Sequence, residues 1–463
     1  MVSSLEIDRL LIVLLCAVTD NCQDYLHLTK RVGTVAVSQF PAHYALSMKS
    51  VLSPFSILFS ASHEELNPYH RFLGRIIHTL LVLHGVLYFN FFYQSGIVWN
   101  KLGQSVVIIG IVALGMLTVL ATTSFASIRR WSYRVFFVLH LVIGITLPPL
   151  LFFHASHLRI YVVEALVLFL LDIVGRKLDT VTGYSKISTV PHTKLIKLVI
   201  PIPSSKIARF RDAPGQHVYL SLPPQSISKD TASPLYDILF NPFTVADVSQ
   251  EDITLVLRVL HGPTTQALAQ LTKLSKANPP LKVEGPYGAA RKFLPIAKEF
   301  DRVLLVAGGV GATFALPIYQ HLKVSMQHEA TQVELVWSMR SAAEAAWVKE
   351  SDLKFAEDKN ISMYVTRASS DDLSSYDQPI PQDGSVELDE LRRRRDEPIA
   401  ANGGRGRPDL RKIVDGVFRH GNEESVAVMV CGPTEMAVEL REHVGRWVSK
   451  GRNVWFHDES FGW

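Results

Sequence analysis

Four of the 17 histidines in this 463-residue chain stand in two matched pairs. His70 and His84 lie in one apolar segment, His140 and His154 in another, and each pair is fourteen residues apart. In a helix advancing about 100° per residue, fourteen steps fall only about 40° short of four turns, so each pair shares a face. At about 1.5 Å rise per residue, the two rings of a pair stand roughly 21 Å apart along the axis. Two such helices side by side, running the same way, set His70 against His140 and His84 against His154. Imidazole is an ordinary axial ligand of haem iron, and its second nitrogen can bond a neighbour. A single histidine in an apolar helix more often bonds an adjacent helix. Two pairs at equal spacing on alternate segments point instead to two stacked bis-histidine sites, and so to two b-type haems. His78 stands about 80° off the face of His70 and reads as a structural polar residue. His157 could be a substrate-side group, while His43 and His63 carry no pattern.

The elements that must position these rings are membrane spans. Hydrophobic residues make up 48% of the chain, and the excess sits in the first ~180 residues. A spanning helix needs roughly 20 apolar residues. Six segments qualify, the first weakly: about 8–26, 33–60, 70–93, 104–124, 133–153 and 157–175. The start lacks a cleavable secretory signal, and the chain is expected to begin late relative to its relatives. Six spans put both ends on one side. That side carries Arg9, Arg71, Arg75, Arg129, Arg130, Arg134, Arg176 and Lys177, against Lys30, Arg31, Lys101 and Arg159 on the other. The excess of positive charge predicts a cytosolic C-terminal half. A net charge of +4 gives no case for a nucleic-acid partner, and three cysteines exclude a disulfide framework.

Beyond residue 178 the pattern changes. Short β segments fill about 183–292, as in a small barrel. Arg258, Gly262 and Thr264 combine an arginine fork, a turn glycine and a hydroxyl, which suits a pyrophosphate; a strand-end arginine on a solvated edge is the plainer alternative. Residues 300–463 alternate apolar strands with helical patterns, as in a parallel α/β sheet. The strand Val303–Ala307 runs into Gly308, Gly309, Val310, Gly311, Ala312 and Thr313. Such glycines allow backbone amides close to a phosphate at a helix N-terminus, although a tight turn without ligand has the same composition. About 368–400 is a biased-composition insertion containing Arg392–Arg395, expected to be a mobile cytosolic loop.

The segment Tyr69-His70-Arg71-Phe72-Leu73-Gly74-Arg75 followed by His84-Gly85, together with Arg31-Val32-Gly33 and Lys49, resembles the ferric reductase transmembrane domain of fungal ferric and cupric reductases, kin to the NADPH oxidases. Pro214–Val218 and Asn241-Pro242-Phe243-Thr244-Val245 resemble the FAD barrel of the ferredoxin-reductase type, with Asn241 where that family usually has histidine. The resemblance implies a six-helix haem bundle (1–178), an FAD-binding β-barrel (183–292) and an NADPH-binding α/β domain (300–463). It implies that Pro242, Phe243 and Thr244 meet FAD, that Gly308, Gly309, Gly311 and Thr313 meet NADPH, and that Cys431-Gly432-Pro433 borders the nicotinamide. Arg340 and Arg407 are candidates for a 2′-phosphate, and either could be a surface charge. The ending Asp458–Trp463 resembles the termini of fungal ferric reductases, where Phe461 or Trp463 would cover the flavin. Lys49 matches a basic position near the haems, where it either pairs with a propionate or snorkels.

The activity so implied is electron transfer from NADPH, through FAD and two haems, to ferric chelates or cupric ions across a plasma membrane. With both axial positions filled, only outer-sphere one-electron transfer is open. Reduction of dioxygen to superoxide meets the same constraint, so an NADPH oxidase is the main alternative, and a non-catalytic membrane relative is another. No spaced acidic calcium loop precedes the membrane segments, which counts against a calcium-gated oxidase. The acceptor and the oligomeric state are open at this point.

Overall fold

A computed structural model describes residues 25–226, 240–260, 262–273, 278–288, 290–325, 332–348, 358–366, 404–419, 421 and 423–459. The first expected span, the insertion at 368–400, and Phe461 and Trp463 lie wholly or mainly outside them. The described residues form two compact units, one ending at Asp179 and the other beginning at Thr180.

The first unit is helical: α1 (Tyr25–Ser38), α2 (Phe40–Ser47), α3 (Pro54–Phe59), α4 (His63–Gln94), α5 (Ser105–Thr123), α6 (Tyr133–His154) and α7 (Arg159–Asp179), with shorter helical turns between. Three of these, α4, α5 and α6, are long and apolar enough to cross a membrane. Helix α4 opens on a capping box: the Glu65 N–H donates to Ser62 Oγ, and the Ser62 N–H donates to Glu65. Its 32 residues make a rod of roughly 48 Å, longer than the ~30 Å hydrocarbon core. The inward faces of α4, α5, α6 and α7 meet through Leu73, Ile77, Leu117, Ile143, Leu147 and Val162. Val119, Val142 and Ile145 point outward and exposed, as lipid-facing residues do.

The expected span at 33–60 is not one helix. Pro41 and Pro54 sit at helix starts, and the chain leaves helical geometry between α2 and α3. The amides freed by that break are met by Asp172 of α7, whose Oδ1 accepts the N–H groups of Lys49 and Ser50, both at 2.8 Å. Asp172 is 9% exposed, and Arg176 lies 3.8 Å from its carboxylate. Hydropathy read the segment as continuous because it registers neither proline geometry nor a remote carboxylate.

The second unit holds two sheets. The first is antiparallel and seven-stranded, in the order β1-β7-β4-β5-β6-β3-β2. Its strands are β1 (Val181–Tyr184), β2 (Lys186–Thr189), β3 (Leu195–Pro201), β4 (His217–Ser221), β5 (Asn241–Val248), β6 (Asp252–Arg258) and β7 (Pro280–Tyr287), with α8 (Pro263–Lys273) after β6. Alternate residues such as Leu198, Ile200, Val218, Leu220, Leu255 and Val283 fill its interior. The second sheet is parallel and six-stranded, in the order β11-β10-β9-β8-β12-β13. Its strands are β8 (Arg302–Gly308), β9 (Gln332–Met339), β10 (Ile361–Val365), β11 (Gly404–Arg405), β12 (Val426–Cys431) and β13 (Val454–Glu459). Leu305, Trp337 and Met429 face α9 (Ala312–Ser325). Leu304, Val306 and Val428 face α10 (Leu410–Phe418) and α11 (Thr434–Val448). Successive strands run outward from β8 to β11, and the order then jumps to β12 on the other side of β8. The gap between the ends of β8 and β12 is therefore a topological switch point, where open α/β sheets bind ligands.

Candidate cofactor sites

Helices α4 and α6 bring the four ladder histidines together in the expected pairs. The His70 and His140 rings have centroids 6.2 Å apart, tilted by 56°. His84 and His154 line one cavity of about 510 Å³, within the usual range for ligand pockets. Helix α5 packs against both α4 and α6 and contributes Gly110 to that cavity.

The hydrogen bonds on these rings decide which nitrogen is free. His70 Nδ1–H donates to the His43 carbonyl at 3.1 Å, His84 Nδ1–H to the Thr29 carbonyl at 2.8 Å, and His154 Nδ1–H to the Val106 carbonyl at 3.0 Å. A carbonyl only accepts, so in each case Nδ1 must carry the proton. His140 Nδ1 lies 3.4 Å from Ser124 Oγ, and that hydroxyl already donates to the Leu120 carbonyl, so it accepts from His140. All four rings thus keep Nε2 as the lone-pair nitrogen when neutral. Two histidines off the ladder do the reverse. His78 Nε2 meets Thr118 Oγ1 at 3.3 Å and His157 Nε2 meets Thr34 Oγ1 at 3.2 Å, and both hydroxyls already donate to carbonyls. A nitrogen held by a carbonyl with its partner left free is the arrangement metal-binding histidines show. The residues present fit two bis-imidazole haem sites.

Glycines make room for the outer rings. A Cβ at Gly33 would lie 2.6 Å from His84 Nδ1, and one at Gly110 would lie 2.8 Å from His154 Cε1. Sequence reasoning gave neither glycine a role against an imidazole. It also passed over His43, whose ring stacks on His70 with centroids 4.0 Å apart and planes within 11°. A lone histidine on a separate short helix has no spacing by which to be found. Among the described residues, no group of three or more His, Cys, Asp or Glu is arranged to hold an ion.

In the barrel, Pro242 pairs with Tyr219, Phe243 with Val218 and Thr244 with His217. Strand alternation therefore sends Phe243 and Val218 toward the core, and Pro242 and Thr244 toward the other face. That face carries an aromatic cluster of His217, Tyr219 and Tyr287, with centroids 5.4 to 6.1 Å apart, of which His217 stands in the Pro214–Val218 motif. Asn241 Nδ2–H donates to Thr264 Oγ1 at 2.8 Å, so the residue in place of the usual histidine ties β5 to α8. Gly262 lies in the turn just before α8. Arg258 Nη2 pairs with Glu344 at 2.7 Å, beside Gly309.

At the switch point, Gly308 and Gly311 press on the end of β12. A Cβ at Gly311 would lie 2.0 Å from the Cys431 carbonyl oxygen, and one at Gly308 2.6 Å from Pro433 Cδ. Gly309 turns with φ +56°, and its carbonyl accepts the Trp337 indole N–H at 3.0 Å. The Thr313 hydroxyl is buried and donates to the Val310 carbonyl, so it caps the turn from within. Cys431 and Gly432 stand beside this loop. The Cys431 thiol is pushed well up, first by burial and then by the nearby charges of Glu459 and Asp458, and stays neutral. Arg340 and Arg407 are exposed at the C-terminal ends of β9 and β11, with β10 between them, roughly 10 Å apart at ordinary strand spacing.

A helical unit with apolar spans and paired imidazoles, followed by an antiparallel barrel and a doubly wound sheet, defines a membrane flavin and nicotinamide oxidoreductase. Residues 32–151 match the family described as the ferric reductase like transmembrane component, 183–291 an FAD-binding domain, and 300–445 the ferric reductase NAD binding domain. The chain belongs to the ferric reductase family. It is similar to the ferric/cupric reductase transmembrane component 2 of Schizosaccharomyces pombe, at 22% identity over 93% of this chain and 80% of that protein. It is likewise similar to a probable metalloreductase of Meyerozyma guilliermondii, at 26% identity over 88% of this chain and 82% of that one. Among solved structures, a ferredoxin NADP+ reductase from Neisseria gonorrhoeae is a distant likeness, at 14% identity over 60% of this chain and 98% of that one, with a TM-score of 0.40.

Proposed function

We propose that this chain takes electrons from NADPH on the cytosolic side of a membrane and delivers them, through FAD and two haems, to ferric or cupric ions on the far side, in the service of metal uptake. The observation that carries this reading is the uniform hydrogen bonding of His70, His84, His140 and His154, each holding Nδ1 occupied and Nε2 free. When bound, the flavin divides a hydride's two electrons and the haems supply one-electron carriers across the bilayer. The rest is the work of the chain. His70 and His140 hold the inner site, and His84 and His154 the outer, with Gly33 and Gly110 letting the outer rings seat. Pro242 and Thr244, beside the aromatic face, bound the flavin. The amides of the Gly308–Gly311 turn bound the nucleotide phosphates, and Cys431–Pro433 border the nicotinamide. Arg340 and Arg407 take the 2′-phosphate, which selects NADPH over NADH. The surplus of arginine on the side of Arg71, Arg129 and Arg134 supports a cytosolic position for the second unit. The six-span count adds a first span, the broken α1 to α3 segment and α7 to the three apolar helices. Relatives named ferric/cupric reductase and metalloreductase support metal as the acceptor.

The test is reduction of a membrane-impermeant ferric chelate by cells producing the full chain, with superoxide scored in the same wells. Iron reduction that ignores superoxide dismutase is the expected result. Reduction that vanishes with dismutase would make the chain an oxidase, and cells that hold the protein without activity would overturn the reading.

A further inference from the structure

His43 is unexplained by the ladder, and its geometry is specific. It sits on α2, and its ring lies face to face with His70, with centroids 4.0 Å apart and planes within 11°. The carbonyl of the same residue accepts His70 Nδ1–H at 3.1 Å. One residue therefore grips the ring twice: the carbonyl fixes a nitrogen, and the stacked face blocks rotation of the ring plane. His43 Nδ1 is itself buried and makes no hydrogen bond. A buried polar atom without a partner is costly, and a leucine would fill the space without it. Packing alone does not account for an imidazole here. Gly74, four residues past His70 on α4, makes the room: a Cβ there would lie 3.0 Å from His43 Cε1.

We propose that His43 is a positioning residue of the inner haem site, whose ring and carbonyl together set the plane of the His70 imidazole and thereby tune the haem held by His70 and His140. The proposal rests on the haem reading above. Hydrogen bonding and orientation of an axial imidazole are among the levers by which a protein sets haem potential. The 56° between the His70 and His140 rings is the angle that would change if the stack were removed. Because the carbonyl belongs to the main chain, substitution of His43 removes the stack and leaves that hydrogen bond in place, which separates the two grips.

The experiment uses the full chain, purified in detergent and carrying His84→Ala, so that the inner pair alone remains. It records the haem absorption, the low-spin paramagnetic resonance signal and the midpoint potential. His43→Leu is expected to retain the inner haem, shift its potential and broaden its highest-g feature. His43→Phe, which restores a stacked face, is expected to bring both back toward the parent. A His43→Leu protein with the parent's potential and signal overturns the proposal. If His43→Leu holds no haem, His43→Phe decides: a parental signal supports positioning, and absence of haem there makes His43 a folding residue and overturns it. A parent without haem overturns the haem reading itself, an outcome distinct from all of these.

Discussion

Gly33→Ala adds one methyl group to the membrane unit, and the structure says what it meets. Its Cβ would lie 2.6 Å from His84 Nδ1 and 2.7 Å from Cε1, whereas ordinary contact begins at 3.4 Å. The imidazole must retreat by about 0.8 Å, beyond the roughly 0.5 Å within which a binding constellation must be held. Retreat also strains the bond from His84 Nδ1–H to Thr29 and carries the ring toward the cavity it shares with His154. Overpacking of this kind costs about 1–3 kcal/mol, or roughly 5- to 150-fold in occupancy of the outer site. Helix propensity pushes the other way, since Gly→Ala in a helix gains up to about 1 kcal/mol, so a loss cannot be laid to a weakened helix. Gly110→Ala should act alike through His154, with a Cβ at 2.8 Å, while Gly115→Ala on the same helix meets nothing within 4 Å and should be silent. The assay is the reduced-minus-oxidised haem spectrum of membranes, scored beside surface reduction of ferric chelate. Gly33→Ala and Gly110→Ala should lose about half the haem signal and most of the chelate reduction, with Gly115→Ala unchanged. Normal spectra in the first two would refute the placement of His84 and His154 in a ligand site.

His84→Ala should abolish chelate reduction while NADPH oxidation with a soluble dye acceptor persists; chelate reduction at the parental rate would remove the outer pair from the path. Gly311→Ala drives a Cβ to 2.0 Å from the Cys431 carbonyl, where neither backbone can yield, and should abolish NADPH oxidation and lower the melting temperature of the full chain. Unaltered turnover there would mean the β8 and β12 ends are not in contact. Arg340→Gln and Arg407→Gln should each raise the KM for NADPH roughly tenfold or more, as loss of a charge-assisted hydrogen bond does, with the KM for NADH unmoved; equal effects on both nucleotides would count against a 2′-phosphate site. The raised Cys431 pKa keeps the thiol protonated at neutral pH, so mass spectrometry should find it unalkylated in the native protein and alkylated in urea. Alkylation of the native protein at the rate of a free thiol would contradict that burial.

The sharing of a helix face by His70 and His84, and by His140 and His154, was legible because a helical period turns spacing into direction without further information. The order of helical unit, barrel and parallel sheet was legible for the same reason, since runs of period 2 and long apolar segments announce themselves. What escaped depends on partners distant in sequence. The chain leaves helical geometry at Lys49 and Ser50 because Asp172, over a hundred residues on, accepts their amides. Phe243 turns toward the barrel core because its register with Val218 decides its face, and no motif encodes a register. Asn241, noticed as a departure from the usual histidine, finds its use only when α8 brings Thr264 to it.

The glycines after β8 show how a packing reading and a ligand reading can be one account. Gly308 and Gly311 are required without any ligand, because a side chain at either would collide with Cys431 or Pro433. Gly432 is bound by the same constraint from the other side, with its Cβ position 3.0 Å from the Gly308 amide nitrogen. These contacts bring the ends of β8 and β12 together backbone to backbone at the switch point. With that side closed, the turn at Gly309 is held by Trp337 and flanked by Arg258. Cys431 and Gly432, packed on the same turn, cannot move away from it. The strand contact that a tight turn explains is therefore what holds the amides proposed for the phosphates beside the residues proposed for the nicotinamide. For that reason Gly311→Ala should cost the fold and the nucleotide together.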